Sequence, residues 1–145
     1  MRNLFAWASV CVTGGAFGAF ANSVFVWMAG AYGWTAALGV TLAPEWTRPW
    51  LYQRLVWCGL WGLAFMPRFM PNSIFWRGLL VSLGPTLVQL LIIFPNQLDK
   101  GYFGLDLGNL TPLVVVVANA IWGWAAAGWL LLADEDRHMY SRRLR

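Results

Sequence analysis

Four polar side chains interrupt the apolar segments of this chain, and each is of a type that can bind a ligand or link two helices. Asn22 lies in the first apolar segment, Arg54 near the start of the second, Gln89 near the end of the third and Asn119 inside the fourth. Amides both donate and accept hydrogen bonds, and a guanidinium binds carboxylate or phosphate groups. Unpaired polar groups are costly in hydrocarbon, so each of these side chains is expected to have a partner.

The depths of these residues place them together. The depths are counted from the segment ends that lie on the same, outer side of the membrane. At ~1.5 Å per residue, Asn22 and Asn119 both lie ~12 Å from these ends, Gln89 lies ~8 Å and Arg54 ~6 Å from them. In one interpretation the three amides only link helices. In another they line a cavity, with Arg54 supplying positive charge for an anionic group. Arg54 can also extend to the lipid headgroups from this depth.

Small residues share a helix face with the two asparagines at steps of four. They are Gly14 and Gly18 in the first segment, and Gly123 and Ala127 in the fourth. Small residues allow close approach of two backbones in a membrane. The two stripes predict an antiparallel contact between the first and fourth helices, in which Asn22 faces Asn119.

The residues that usually catalyse reactions or bind metals are few and scattered. Cys11 and Cys58 lie in separate apolar runs, and the one histidine is His138, in a charged tail. This excludes a haem held by two histidines, and no cysteine–histidine spacing fits a metal site. The glycines of GYFGLDLGNL do not follow a strand, so no dinucleotide site is expected. We therefore expect no metal, no cofactor and no enzymatic activity.

The composition indicates a membrane protein of one domain. The chain is 59% hydrophobic and 11% charged, whereas soluble domains are about a quarter charged. The net charge of +4 does not indicate nucleic-acid binding, because four of the ten basic residues lie in the last nine positions. In a membrane protein such a cluster sets orientation and contacts lipid headgroups.

Four apolar segments separated by proline and glycine predict an all-α membrane protein with four transmembrane helices. The predicted helices cover about residues 4–30, 50–66, 74–94 and 111–133. The semi-apolar segment between the first two helices is expected to lie in the membrane interface, and residues 134–145 form a charged cytoplasmic tail. The first helix resembles a signal peptide, but its apolar run continues past Ala21, so we expect it to remain uncleaved.

The distribution of arginine and lysine predicts that both termini face the cytoplasm. If the N-terminus is inside, seven basic residues lie on the inner side and three on the outer side. The inner ones are Arg2, Arg68, Arg77, Arg137, Arg142, Arg143 and Arg145, and the outer ones are Arg48, Arg54 and Lys100. This bias follows the positive-inside rule.

Several phrases resemble those of a known group of proteins. RLVWCGLWGLAFMP, FWRGLLVSLGPTLVQLLIIFP and the glycine-containing loop before LTPL and NAIWGW are similar in outline to small bacterial inner-membrane proteins of the YagU-like family. The resemblance covers roughly Arg54 to Trp124. It implies a bacterial inner-membrane location and the number of helices.

Three hypotheses of function follow from these features. The first is a non-enzymatic inner-membrane protein that acts through helix packing, as a homo-oligomer or as a subunit of a membrane complex. The second is a small channel or transporter with a polar vestibule on the outer side. The third is a lipid- or pigment-binding subunit of a larger assembly.

Overall fold

The computed structural model describes residues 2–67, 69–70 and 73–143, and the side chains of residues 4–67, 69–70 and 73–134. This part of the chain is helical and contains no strand. The elements are α1 (Arg2–Ala31), α2 (Trp34–Ala37), α3 (Arg48–Trp61) with a 3₁₀ turn (Gly62–Phe65), α4 (Ile74–Val88) with a π turn (Gln89–Ile93), α5 (Phe94–Asn96), an irregular 3₁₀ segment (Tyr102–Leu107) and α6 (Thr111–Arg143). Arg68 and the side chains of most of the charged tail, from Glu135 onward, lie outside the described residues.

Three stretches of helix are long and apolar enough to cross a membrane. They are Leu4–Ala31, Ile74–Asn96 and Thr111–Asp134. Large apolar side chains on their outer surfaces are exposed, as lipid-facing surfaces are. The all-helical prediction is therefore confirmed, and a membrane location agrees with these three helices. The second predicted segment forms α3, which at 14 residues is shorter than the other three.

Local sequence signals explain where α3 and α4 begin. The Thr47 hydroxyl accepts a bond from the backbone N–H of Trp50, and Pro49 lies in the first turn of α3. The Ser73 hydroxyl accepts in the same way from the N–H of Trp76 at the start of α4. Both caps satisfy an N–H group that has no partner within its helix.

Helix α1 packs between α3 and α6, and α4 packs on the other side of α6. The closest approaches are made at glycines. The backbone of Gly62 lies against that of Gly15 and Cys11, and Gly78 lies against Gly123. A Cβ atom at any of these glycines would overlap the opposite backbone, so the close contacts require residues without side chains.

The structure corrects one predicted packing contact. Gly18 faces α6 as expected, but it lies against Trp122, and Gly123 lies against Gly78 of α4 instead of against α1. The residue of α6 that faces Gly18 of α1 is therefore Trp122, one position earlier in the sequence than the predicted Gly123. Trp122 also donates its indole N–H to the Gly15 carbonyl at 2.9 Å. A shift of one residue turns a helix face by about 100°, which places Gly123 against the neighbouring helix.

Gly14 and Ala127 are the two other small residues of the predicted stripes. Gly14 lies near Trp129 and Ala126 of α6, and Ala127 is buried in the core.

Two loops meet at the end of the molecule where α1 ends and α6 begins, which we call the loop end. The backbone N–H and the hydroxyl of Thr41 both donate to the Leu107 carbonyl, at 2.7 and 3.2 Å. Gly108, at φ 140°, lies directly against Gly39, where a side chain would not fit. These contacts tie the loop after α1 to the loop before α6.

Candidate functional site

Arg54 reaches from α3 to α1 near the loop end. Its Nε–H donates to the Ser23 hydroxyl at 2.9 Å, and its Nη2 donates to the Asn22 side-chain oxygen. The guanidinium also lies 4.9 Å from the centre of the Trp50 ring, within the range of a cation–π contact. In this structure Arg54 therefore turns toward α1 and does not extend to the headgroups, which was one of the alternatives.

The two asparagines continue this network across α1 and α6. Asn22 is 1% exposed, and its Nδ2 donates to the Ala118 carbonyl at 2.6 Å and to Asn119 Oδ1 at 3.4 Å. Asn119 Nδ2 in turn donates to Thr86 Oγ1 at 3.1 Å and to Gln89 Oε1 at 3.4 Å. The structure thus brings together the four predicted polar residues, one from each of the four longest helical segments.

A π turn directly after α4 orients Gln89. The N–H of Phe94 bonds to the carbonyl of Gln89, five residues earlier, and Pro95 has no N–H with which to extend an α-helical pattern. Residues five apart lie about 140° apart on a regular α-helix, and the wider turn brings them closer to one face. Gln89 and Phe94 accordingly line the same cavity.

That cavity, of about 140 Å³, lies beside the polar network at the loop end. Asn22, Arg54, Gln89 and Asn119 form its polar side, and the remainder of its wall is mostly apolar. Leu42 and Pro44 from the first loop and Leu98 from the second also contribute to its wall. The two joined loops therefore form part of the enclosure.

The core beneath the network is filled by large side chains. Trp122 and Leu130 are each 1% exposed, and Phe65 is fully buried. The centres of the Phe65 and Trp122 rings lie 5.9 Å apart. Within the described residues the cavity is therefore closed toward the opposite end, where α1 begins.

Sequence analysis missed three members of this site. Ser23 and Thr86 are short hydroxyl residues that were overlooked beside amides, and Trp50 was considered only as the start of the second predicted helix. Helical spacing was the available signal, since Thr86 precedes Gln89 by three residues and Trp50 precedes Arg54 by four.

Arg77, which was counted only as an inner-side charge, is a buried residue at the opposite end. It is 7% exposed, and its Nη2 donates to the Phe65 carbonyl at 2.8 Å. Its guanidinium also lies 5.5 Å from the centre of the Phe65 ring and 5.8 Å from that of Phe69. Because α3 and α4 make few other contacts, this arginine helps to hold them together.

The described part of the chain brings no three His, Cys, Asp or Glu side chains together in a way that could hold a metal ion. Neither a protein-family model, nor a curated protein, nor a solved structure matches this chain.

Proposed function

We propose that this chain is a non-enzymatic bacterial inner-membrane protein that binds a small ligand in a vestibule on the outer side. Arg54 is the observation on which this proposal rests. It is a cation at the edge of a cavity, it bonds only to neutral groups, and no described carboxylate lies within ion-pair distance of it. A charged residue inside a membrane protein usually marks a functional site, because its burial is costly.

The proposed topology has four spans. With its 3₁₀ turn, α3 extends from Arg48 to Phe65, a length of roughly 30 Å that matches the hydrocarbon thickness of a bilayer. Its small residues Gly59 and Gly62 pack on α1, and its exposed side chains include Val56, Leu60 and Leu63. These features support a short second span, although its sequence is less apolar than the others.

In the proposed orientation both termini are cytoplasmic and the loop end faces outward. The excess of arginine at the opposite end supports this orientation, which follows the positive-inside rule. Exposed aromatic residues at the loop end, among them Tyr32, Trp34 and Trp46, support an interfacial location for the segment between α1 and α3. The resemblance to YagU-like proteins also implies the inner membrane.

Labelling of single cysteines tests the vestibule and its orientation together. In a background without Cys11 and Cys58, we expect Val115→Cys to react with a small, membrane-impermeant anionic thiosulfonate added to intact cells. Val115 lines the cavity, and a thiol reacts as thiolate, which forms only in contact with water. Val116→Cys is the matched control, because Val116 is 39% exposed on the outer surface of the same helix. We expect it to react at least tenfold more slowly.

Each of the other results contradicts one part of the proposal. Equal rates at the two positions would show that the cavity is not a separate aqueous site. Reaction of Val115→Cys only after the cells are opened would show that the vestibule faces the cytoplasm. No reaction under either condition would show that water and the reagent do not reach the cavity wall at Val115, which is 2% exposed.

A second candidate function is association through helix packing, in a homo-oligomer or with a membrane-protein partner. An apolar groove on α3, lined by Trp57, Leu60, Trp61 and Ala64, favours it. A helix from another chain could occupy this groove, although lipid acyl chains can also fill it. The particle mass distinguishes the two functions, because this one requires a stable assembly.

A further inference from the structure

Building on the proposed vestibule, we propose that its ligand is a monoanionic amphiphile, with a carboxylate or phosphate-diester head beside Arg54 and a hydrocarbon chain against the apolar wall. This inference depends on the vestibule and adds the class of ligand. It follows from the direction of the hydrogen bonds, the charge of the site and the nature of its wall.

The hydrogen bonds of the network have one defined direction. A guanidinium only donates, so Asn22 must present its oxygen to Arg54 and its Nδ2 to the Ala118 carbonyl, which only accepts. Asn119 then accepts from Asn22 through Oδ1 and donates through Nδ2. Gln89 therefore accepts through Oε1 at the end of the network. The orientation of all three amides is fixed by these partners.

With the hydrogen bonds in this direction, some N–H groups at the cavity remain available to donate to a ligand. The side-chain oxygens of Asn22, Asn119 and Gln89 each accept a bond within the network. By contrast, the Arg54 Nη1 group and the Gln89 Nε2 group have no hydrogen-bond partner among the described residues, and both residues line the cavity. A site that offers unused N–H donors beside a cation favours an anion over a cation.

The charge of the site points to a single negative charge on the ligand. Arg54 contributes one positive charge, and no acidic residue lines the cavity. A carboxylate or a phosphate diester neutralises that charge and can accept bonds from both available donors. An ion of higher charge would remain partly uncompensated beside a mostly apolar wall, which is unfavourable.

The apolar wall indicates that the ligand also has a hydrocarbon part. Val26, Val114, Phe94 and Leu98 line the cavity together with the polar residues. At about 140 Å³ the cavity is close in size to the ~150 Å³ apolar cavity that binds benzene in another protein. It therefore holds a head and a few carbons, and the rest of the chain extends outside. A free inorganic anion would bury its charge against this wall without compensating apolar contact.

Native mass spectrometry of the purified full chain in non-ionic detergent tests this inference. The probes are oleate, phosphatidylglycerol, phosphatidylcholine, acetate and inorganic phosphate. We expect one bound oleate or phosphatidylglycerol per chain, at least tenfold more tightly than phosphatidylcholine, with no adduct of acetate or phosphate. Preference for oleate would identify a fatty-acid carboxylate as the head, and preference for phosphatidylglycerol a lipid phosphate.

Variants show whether binding occurs at this site. We expect Arg54→Gln to weaken binding at least tenfold and Gln89→Leu about threefold, and Arg48→Gln, an exposed arginine at the start of the same helix, to leave it unchanged. Gln89→Leu provides the decisive comparison if Arg54→Gln does not fold, because it alters only the end of the network.

Equal binding of phosphatidylcholine, binding of inorganic phosphate alone, or undiminished binding to both site variants would overturn the inference. If Val115→Cys is labelled as expected but no anionic amphiphile binds, the ligand class is wrong and the vestibule remains. If that labelling fails as well, the proposed function itself is wrong.

Discussion

Replacing Gly123 with alanine is expected to destabilise the protein by about 3 kcal/mol, at the upper end of the cost of overpacking. The added methyl group would overlap the carbonyl of Gly78 in the contact between α4 and α6. Neither backbone can move away without separating two helices. The measurement is the free energy of unfolding in mixed micelles, followed by circular dichroism as the denaturing detergent is increased.

Gly128 is the matched control for this prediction. It lies on the same helix, five residues further along, and a Cβ atom there would have no neighbour within 4 Å. We expect Gly128→Ala to leave stability unchanged or to raise it by up to about 1 kcal/mol, because alanine favours helix more than glycine does. Equal effects of the two substitutions would show that α4 and α6 do not approach each other at Gly123.

Replacing Asn22 with leucine is expected to cost about 3 kcal/mol, because it removes a hydrogen bond to a charged group and leaves buried polar groups without partners. Leucine has the same branched arrangement of four side-chain heavy atoms as asparagine, so the substitution mainly replaces polar atoms with apolar ones. Asn22 accepts from Arg54 and donates to Ala118 and Asn119. Its removal would break the network at its centre and leave the Arg54 charge with one fewer partner.

A double-mutant cycle separates this effect from a general loss of packing. If the bond between Asn22 and Arg54 is important, Asn22→Leu and Arg54→Leu together should cost at least ~1 kcal/mol less than the sum of the single substitutions. Ser23→Ala serves as the control, because the Ser23 hydroxyl bonds the same guanidinium but does not link α1 to α6 as Asn22 does, and it should cost less. Strict additivity of the Asn22 and Arg54 substitutions would contradict the geometry of the site.

Part of this site could be predicted because the depth of a residue along a helix follows from the number of residues between it and the helix end. Asn22 and Asn119 lie at similar distances from helix ends that the surrounding prolines and glycines mark, and their contact follows if the helices are antiparallel. The direction of a helix face is harder to predict. Steps of four fix which residues share a face but not which neighbour that face meets, and Gly123 therefore contacts α4 instead of α1.

Other features depend on tertiary contacts that no local pattern specifies. The orientation of Arg54 toward α1 depends on Ser23 and Asn22 lying opposite it, which requires knowing that α1 and α3 are neighbours. The π turn at Gln89 also has no simple signature beyond the following proline. The burial of Arg77 against Phe65 is of the same kind, because charged residues near helix ends more often extend to water.

The closed core beneath the cavity limits the possible functions. A channel requires a continuous polar path, and Trp122 and Phe65 block such a path through the described helices. A transporter would have to move these side chains apart, against the close glycine contacts on both sides of α6. Binding at one side of the membrane requires neither rearrangement, and for that reason we prefer it over conduction.

The most direct measurement is the mass of the particle purified with its native lipids, together with the identity of any molecule that remains bound. We expect the 16.3 kDa chain to retain one anionic amphiphile, and the Arg54→Gln variant to lose it. A wild-type protein that retains nothing, or the same molecule retained on Arg54→Gln, would contradict a binding vestibule at Arg54. A stable assembly that retains no ligand would support the function through helix packing instead.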